Sequence, residues 1–208
     1  MSMTAAATEA AREQMIQQQL RAWDVLDQEI LGVFARVPRE LFVPEAYAEL
    51  AFADVEIPLG GGDRMLAPKV AGRIVQAVAL KPTDRALLVG VGTGYLAACL
   101  GARACSVRGL EVREDLAALA KRNLAAAGVR NVGVEAFQLR VSAFDTHQQR
   151  VEAVDQWPEF ERLSRSVQPQ PCPSQSDRVH LCGQFLHRQK ASADQQEPRH
   201  ADDARTDE

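Results

Sequence analysis

The apolar positions near the start of the chain repeat at helical spacing. Between Thr8 and Trp23 they form one stripe, and Thr8 with Glu9 can cap and complement the start of a helix. A second stripe follows Asp27, a candidate N-cap, and ends at Pro38. We therefore predict two amphipathic helices. Their apolar positions are Ala11, Met15, Ile16, Leu20 and Trp23 in the first, and Ile30, Leu31, Phe34 and Val37 in the second.

The following segment, from Val37 to Val70, loses this regular spacing. Aromatic anchors alternate there with prolines and with the glycine run Gly60 to Gly62, which predicts a long structured loop with short helical pieces. Pro68 suits the first turn of a third helix, and Lys81 to Asp84 forms the turn that ends it. The apolar face of this helix consists of Val70, Ile74, Val75 and Val78.

The most informative stretch of the chain is RALLVGVGTGY, from Arg85 to Tyr95. An apolar run, Ala86 to Val91, leads into three alternating glycines, and the helix-compatible segment Leu96 to Leu100 follows. Glycine reaches backbone angles closed to other residues and lets a ligand approach the main chain closely. The pattern predicts a strand, a tight turn and a helix that bind a nucleotide-like ligand, with an ordinary Gly-rich turn as the alternative. The three glycines are Gly90, Gly92 and Gly94.

Further strand and helix patterns follow the glycines. Val107 to Val112 reads as a second strand that contains Glu111, about twenty residues after the first glycine, where a carboxylate can meet ribose hydroxyls. A solvated acid at a strand end is the alternative for Glu111. Arg113 to Ala127 predicts a helix that Gly128 stops, and Val132 to Ala136 alternates as a third strand. Together these elements predict an α/β fold with a Rossmann-like, doubly wound sheet behind an N-terminal helical segment.

Composition narrows the class of protein. The chain has 208 residues, a net charge of -4 and a pI near 5.7, so it lacks the basic surplus of a general nucleic-acid binder. No run approaches the ~20 apolar residues of a membrane span, and the N-terminus has no apolar signal core. We therefore expect no nucleic-acid or membrane partner and a cytoplasmic location.

Cysteine and histidine add little chemistry. The cysteines show no CxxC spacing, and the first two lie in apolar segments, which predicts reduced, buried thiols. The histidines have no matching cluster of ligands at metal-binding spacing, so we predict no metal site. The cysteines are Cys99, Cys105, Cys172 and Cys182, and the histidines are His147, His180, His187 and His200.

Several motifs in order resemble a known family. The GxGxG spacing resembles the cofactor loop of class I S-adenosylmethionine-dependent methyltransferases. The order MIQQQLRAWDVLDQEIL, VPRELFVPEAYAELAFAD, IPLGGG and a proline-bounded helix resembles the protein-L-isoaspartate O-methyltransferases, over roughly Met15 to Ala136. The resemblance implies S-adenosyl-L-methionine as cofactor and a monomer that methylates isoaspartyl carboxylates of proteins or peptides for protein repair. It also implies cofactor-binding roles, which place Gly90, Gly92, Gly94 and Tyr95 around the methionine moiety and Glu111 on the ribose.

The chain also departs from that family. Where the family typically shows GxGQTISQP, this chain reads GGGDRMLAP from Gly60 to Pro68, and the family's active-site serine is Leu66. The acid two positions before the first glycine is Leu88, which also fits a core position, and a Gly-Asp pair is replaced by Phe137-Gln138. The catalytic residues are therefore unknown. The alternatives are an inactive or binding-only remnant of the family and, disfavoured by GxGxG in place of GxGxxG, an NAD-dependent oxidoreductase.

The sequence changes character after Phe137. Gln, Arg, Ser, Pro, Asp and His dominate it, and apolar fragments occur only around Val179 to Leu186. We therefore predict a cofactor-binding α/β half over residues 1–137. For residues 138–208 we predict a low-complexity tail, disordered or translated out of frame, with a genuine solvated tail as the rival hypothesis. The C-terminal strands of the sheet are then missing or disordered.

Overall fold

The computed structural model describes residues 4–137 and the strand Leu181–Gly183. Helical turns occupy the chain from Ala5 to Leu50, a short hairpin follows, and helices then alternate with strands. In chain order the regular elements are α1 (Ala5–Met15), α2 (Gln28–Arg36), β1 (Ile57–Gly60), β2 (Asp63–Met65), α3 (Pro68–Val78), β3 (Arg85–Val89), α4 (Tyr95–Gly101), β4 (Ser106–Glu111), α5 (Glu114–Ala126), β5 (Val132–Ala136) and β6 (Leu181–Gly183).

The first predicted helix forms, but its start and one of its faces differ from the prediction. The Thr4 hydroxyl accepts a hydrogen bond from the Ala7 N–H at 3.3 Å, so Thr4 and not Thr8 is the cap. The alanines between them favour an earlier helix start. α1 continues through a π turn, Ile16–Leu20, whose wider winding rotates the stripe. Trp23 consequently lies half exposed instead of in the core.

The second and third helices match the prediction closely. An Asp27 carboxylate oxygen accepts the Glu29 N–H at 2.8 Å and the Ile30 N–H at 3.4 Å, which caps α2 as expected. Pro68 occupies the first turn of α3. Between these helices lie two 3₁₀ turns, Arg39–Phe42 and Glu45–Leu50, which confirm the predicted short helical pieces.

The β1–β2 hairpin is absent from the sequence-based prediction. Its antiparallel strands have only four and three residues, and Pro58 interrupts the apolar pattern, so alternation gives no usable signal. Gly60, Gly61 and Gly62 all have positive φ angles, from 61° to 86°, which explains the glycine run at the turn.

The main sheet is parallel throughout, in the order β5-β4-β3-β6. Leu88 of β3 is fully buried and pairs with Gly109 of β4, which confirms its core position. The alternation of parallel strands and helices confirms the predicted Rossmann-like α/β class.

One strand comes from the C-terminal part of the chain. Leu181–Gly183 pairs in parallel with β3 on the side opposite β4, and it falls within the apolar fragments noted around Val179 to Leu186. The remainder of 138–208 lies outside the described residues. The division into two units at residue 137 therefore stays a prediction.

The two cysteines of the described part of the chain differ in state. Cys99 is a free, fully buried thiol in α4, as predicted, and burial raises its pKa to about 12. Cys105 is disulfide-bonded, so the expectation of a reduced thiol there is wrong. Cys105 lies half-buried in the turn before β4, where a partner can reach it.

Two further expectations concern membranes and metals. Among the described helices, none is long and apolar enough to cross a membrane. Residues 4–137 and 181–183 contain no group of three His, Cys, Asp or Glu side chains that could hold a metal ion. The four histidines of the chain lie outside this part.

Candidate functional site

The three alternating glycines form the tight turn between β3 and α4. Gly90, Gly92 and Gly94 have φ angles of 82°, 58° and 96°, which L side chains rarely adopt. At Gly94 a Cβ would lie 3.4 Å from Ala120 of α5, an ordinary contact distance, so the positive φ and not lack of space favours glycine there. The predicted strand, turn and helix are thus confirmed, and the loop lies at the carboxyl end of β3, where open α/β sheets bind ligands.

Glu111 lies beside this loop at the end of β4. One carboxylate oxygen, Oε2, accepts the N–H groups of Val91 and Gly92, each at 2.8 Å. The other oxygen, Oε1, accepts the Arg113 N–H at 3.1 Å, and the residue is 6% exposed. A carboxylate oxygen can accept two hydrogen bonds, so Oε1 retains capacity for one more donor. Glu111 therefore fixes the loop.

Tyr95 is the first residue of α4, and its side chain points into the protein interior instead of toward solvent. Its ring packs edge-on against Phe34 and Phe42, with centroid distances of 6.1 and 5.6 Å, and the residue is 3% exposed. Burial raises the pKa of its hydroxyl well above the ordinary value. The side chain thus ties the glycine-rich loop to the N-terminal helical layer.

The segment between β2 and α3 forms the opposite wall of a small cavity next to the loop. Met65 and Leu66 line this cavity with Gly92, Thr93 and Tyr95. Leu66, at the position of the family's serine, is 8% exposed and presents only carbon to the cavity. The structure therefore brings the two sequence-predicted segments together, although position 66 supplies no polar side-chain group.

Arg113 joins the hairpin to the end of β4. Its Nη1 atom donates to the Gly60 carbonyl at 2.6 Å and to an Asp63 carboxylate oxygen at 3.1 Å. The other arm of the guanidinium pairs with Asp115, and these carboxylates raise the pKa of Arg113. These contacts hold the hairpin close to the loop. The short separation is visible at Gly92, where a Cβ would lie 3.5 Å from Leu59 Cδ1.

Sequence reasoning missed Arg113 and Leu59. The sequence pattern marks Arg113 only as the start of a helix, because an arginine before a helix gives no sign of partners fifty residues upstream. One clue to Arg113 was available at Asp63, which stands at a position of the family's polar motif. A new carboxylate in a glycine turn suggests that a cation lies nearby. Phe137 donates its N–H to the Glu111 carbonyl at 2.8 Å, and Gln138 lies outside the described residues.

A comparison with protein-family models identifies a family for the part of the chain that contains the glycine-rich loop and the acid on the next strand. The family model for protein-L-isoaspartate(D-aspartate) O-methyltransferase matches residues 10–138. The chain belongs to this family. The match covers every element described above from the middle of α1 to β5 and therefore confirms the resemblance drawn from the motifs.

Individual relatives agree with the family model. The chain is 40% identical over 124 residues to protein-L-isoaspartate O-methyltransferase 2 of Anaeromyxobacter sp., covering 60% of this chain and 51% of that protein. It is 40% identical over 123 residues to the enzyme of Koribacter versatilis, covering 59% and 55%. The chain thus spans about half the length of the curated relatives that it matches.

Solved structures support the fold assignment. A protein-L-isoaspartate O-methyltransferase structure matches with a TM-score of 0.54 and 25% identity, covering 61% of this chain and 42% of that one. A second, from Plasmodium falciparum in complex with S-adenosyl-L-homocysteine, matches with a TM-score of 0.51 and 20% identity, covering 65% of each chain. At that identity the second likeness concerns the fold alone.

Proposed function

We propose that this chain is an S-adenosyl-L-methionine-dependent protein-L-isoaspartate O-methyltransferase that methylates isoaspartyl carboxylates in proteins or peptides. The single observation that carries the proposal is the arrangement of Glu111 against the loop of Gly90, Gly92 and Gly94. Membership of the family supports it, since the curated relatives carry that activity in their names.

The residues present fit the proposed cofactor. The loop has no Cβ at Gly92, which favours close approach to its backbone, and Oε1 of Glu111 accepts one hydrogen bond and can chemically accept a second. We assign the backbone of Gly90, Gly92 and Gly94 to the methionine moiety and the Glu111 carboxylate to the ribose. Tyr95 contributes through its backbone, because its ring is packed in the core. The cofactor, when bound, supplies an electrophilic methyl group.

The chemistry asks little of the protein's own acids and bases. An isoaspartyl carboxylate is already anionic at neutral pH, so no strong general base is needed to activate it. The work of the protein is to hold this oxygen in line with the methyl group and to exclude water. We assign that task to the segment at Met65 and Leu66, which lines the small cavity beside the loop.

A second candidate function, a binding-only remnant, is favoured by one specific observation. Leu66 and Met65 offer no hydroxyl or amide side chain to the cavity, and Asp63 is engaged with Arg113. An acidic side chain at the hairpin would also repel an approaching carboxylate. In this case the chain binds the cofactor without transferring its methyl group.

A methyl-transfer assay separates the two candidates. Labelled S-adenosyl-L-methionine is incubated with the protein and an isoaspartyl peptide, and the matched aspartyl peptide serves as control. We expect label in the isoaspartyl peptide only. Binding of S-adenosyl-L-homocysteine without label in either peptide would support the remnant, and absence of both would contradict both candidates.

We also propose that the protein acts as a monomer, without nucleic-acid or membrane partners. The net charge of -4 supports the absence of nucleic-acid binding. Light scattering of the purified protein tests the monomer, and a dimer at micromolar concentration would contradict it.

A further inference from the structure

Arg39 is the largest fully buried side chain among the described residues, with no measurable exposure. A guanidinium is almost never fully buried unless it is paired with an opposite charge. Within residues 4–137, however, Arg39 forms no ion pair with a carboxylate. Burial accordingly lowers its pKa from the ordinary value. Its position therefore needs an explanation beyond general packing.

The guanidinium is held by backbone carbonyls and by an aromatic ring. Nε donates to the Ala51 carbonyl and Nη2 donates to the Leu66 carbonyl, each at 2.8 Å. The guanidinium carbon lies 4.7 Å from the centre of the Tyr95 ring, where the ring face attracts a cation. These contacts partly replace the water that the charged group has lost.

The cluster remains incompletely paired. In the described part of the chain, Nη1 of Arg39 and the hydroxyl of Tyr95 are both buried without a partner in full hydrogen-bond geometry, although the hydroxyl interacts weakly with the guanidinium and with the Cys99 thiol. Unpaired buried polar groups cost stability, and an apolar side chain of similar volume is often as stable or more stable at such a place. Stability alone therefore does not account for a guanidinium here.

The contacts of Arg39 connect the two walls of the small cavity, although Arg39 does not line the cavity. Leu66 belongs to one wall, between β2 and α3, and Tyr95 belongs to the other, directly after Gly94. Arg39 itself lies outside the cavity, in the 3₁₀ turn that follows α2. One side chain thus fixes the distance between the backbone at position 66 and the glycine-rich loop.

We infer that Arg39 is a positioning residue, which holds the backbone at Leu66 against the glycine-rich loop so that the acceptor and cofactor sides of the site keep a productive separation. The catalytic part of this inference rests on the proposed function. A displacement of about 1 Å in such a site can reduce the rate about 100-fold. Because position 66 lacks a polar side chain, the placement of its backbone matters all the more.

The chain offers a matched control in Arg12. Arg12 is also a buried arginine, 9% exposed, and it pairs with Glu40 and lies 5.7 Å from the Phe52 ring centre. It contacts neither Leu66 nor Tyr95 in the described structure. Arg12→Met therefore reports the loss of a buried guanidinium, whereas Arg39→Met reports that loss together with the loss of positioning.

The test compares Arg39→Met, Arg39→Lys and Arg12→Met in the full chain. We measure urea unfolding, affinity for S-adenosyl-L-homocysteine, kcat and KM for an isoaspartyl peptide, and amide hydrogen exchange of Val70 and Ala71. These two amides donate to the Ala67 carbonyl at 3.1 Å, next to Leu66, and report the segment without any ligand.

For Arg39→Met we expect at least tenfold weaker cofactor-product binding, at least tenfold lower kcat and at least tenfold faster exchange of both amides. Arg12→Met should change each by less than threefold. Arg39→Lys keeps the charge but has a single donor centre, so it should fold and give intermediate values. Equal effects in Arg39→Met and Arg12→Met would overturn the inference, and so would an Arg39→Lys variant that fails to fold.

The exchange measurement separates this inference from the proposed function. A parent protein that neither binds S-adenosyl-L-homocysteine nor transfers methyl groups would contradict the proposed function. Faster exchange of Val70 and Ala71 in Arg39→Met alone would still support the positioning role. If the parent protein is active and its Arg39→Met variant shows unchanged exchange of these amides, the result would contradict the positioning role alone.

Discussion

The two walls of the site differ in how much of the family pattern they keep. The cofactor wall, residues 90–95 with Glu111, has its three glycines at positive φ and its acid hydrogen-bonded to the loop. The acceptor wall, residues 60–68, keeps its glycines and Pro68 but carries Asp63, Arg64, Leu66 and Ala67 in place of the family's Gln, Thr, Ser and Gln. The backbone pattern is thus present in both walls. The side-chain pattern is lost from the acceptor wall, and on the cofactor side it is kept at Glu111 but not at Leu88 or at Phe137-Gln138.

The difference teaches that the two walls act through different parts of the chain. The proposed cofactor wall relies on glycine conformations and on close approach to the backbone, which Gly92 and its neighbours allow. The N–H groups of Gly90, Val91, Gly92 and Gly94 already donate to acceptors within the protein. The acceptor wall depends on side chains, and these are the groups that have changed. Family membership is therefore stronger evidence for the cofactor site than for catalytic turnover.

The largest expected effect comes from breaking the cofactor wall with Gly92→Val. Valine disfavours a φ of 58°, and its side chain would fill the space in which a ligand approaches the backbone. We expect affinity for S-adenosyl-L-homocysteine to fall at least 100-fold in a calorimetric titration. Gly128→Val is the control, because Gly128 has a similar φ of 70° with open space around it. Binding by the Gly92 variant as tight as the parent's would show that the loop is only a turn.

Glu111→Ala tests the acid of the same wall. The change leaves the N–H groups of Val91 and Gly92 without their acceptor and removes the proposed ribose contact. We expect cofactor-product binding to weaken by about 1–3 kcal/mol and the free energy of unfolding to fall by a similar amount. Glu135→Ala on the neighbouring strand, which removes the half-exposed carboxylate that pairs with the largely buried Arg108, is the control. Unchanged affinity in Glu111→Ala would exclude this residue from the site.

Leu66→Ser sharpens the comparison from the acceptor side. The change introduces a hydroxyl at the family's serine position, and Leu66→Ala makes a similar space without the hydroxyl. We expect kcat for an isoaspartyl peptide to be about fivefold higher in the serine variant than in the alanine variant, in the modest range of one added polar contact. Affinity for S-adenosyl-L-homocysteine should agree within twofold. Equal kcat values would mean that position 66 does not limit turnover.

The smallest effect concerns Arg113, which joins the two walls. Its hydrogen bond to Asp115 lowers the pKa of that carboxyl from the ordinary 3.8. A depressed folded-state pKa gives stability that is present above the unfolded value and is lost as the pH falls through the folded value. The thermal midpoint should therefore drop slightly more steeply below about pH 4 in the parent than in Asp115→Asn.

Asp54→Asn, which removes the ion pair with Lys69, is the control for this titration. The thermal midpoint of Asp54→Asn reports the cost of losing an ion pair that does not involve Arg113. Identical curves for the parent and Asp115→Asn would show that the Arg113 contact adds nothing to stability.

Long, periodic elements could be predicted from the sequence, because their signals are local. Asp27, Pro68 and Gly128 mark helix ends by chemistry that does not depend on the rest of the fold. The β1–β2 hairpin could not be predicted, since Arg113 holds its tip from fifty residues away. A three-residue strand such as Leu181–Gly183 likewise depends on its neighbour β3.

The same distinction applies to the site. The glycines and Glu111 could be placed by their spacing, because a strand, a turn and a second strand have fixed lengths. The inward ring of Tyr95 and the buried Arg39 could not, since each depends on tertiary packing between the helical layer and α4. Residue type and spacing thus locate a backbone site better than they locate its side-chain supports.

The central claim is that the cofactor wall is intact, and calorimetric titration of the full chain with S-adenosyl-L-homocysteine tests it most directly, with NAD titrated in parallel. We predict saturable binding of S-adenosyl-L-homocysteine at one site, abolished in Gly92→Val and retained in Gly128→Val. Absence of binding by the folded parent, or tighter binding of NAD, would contradict the claim.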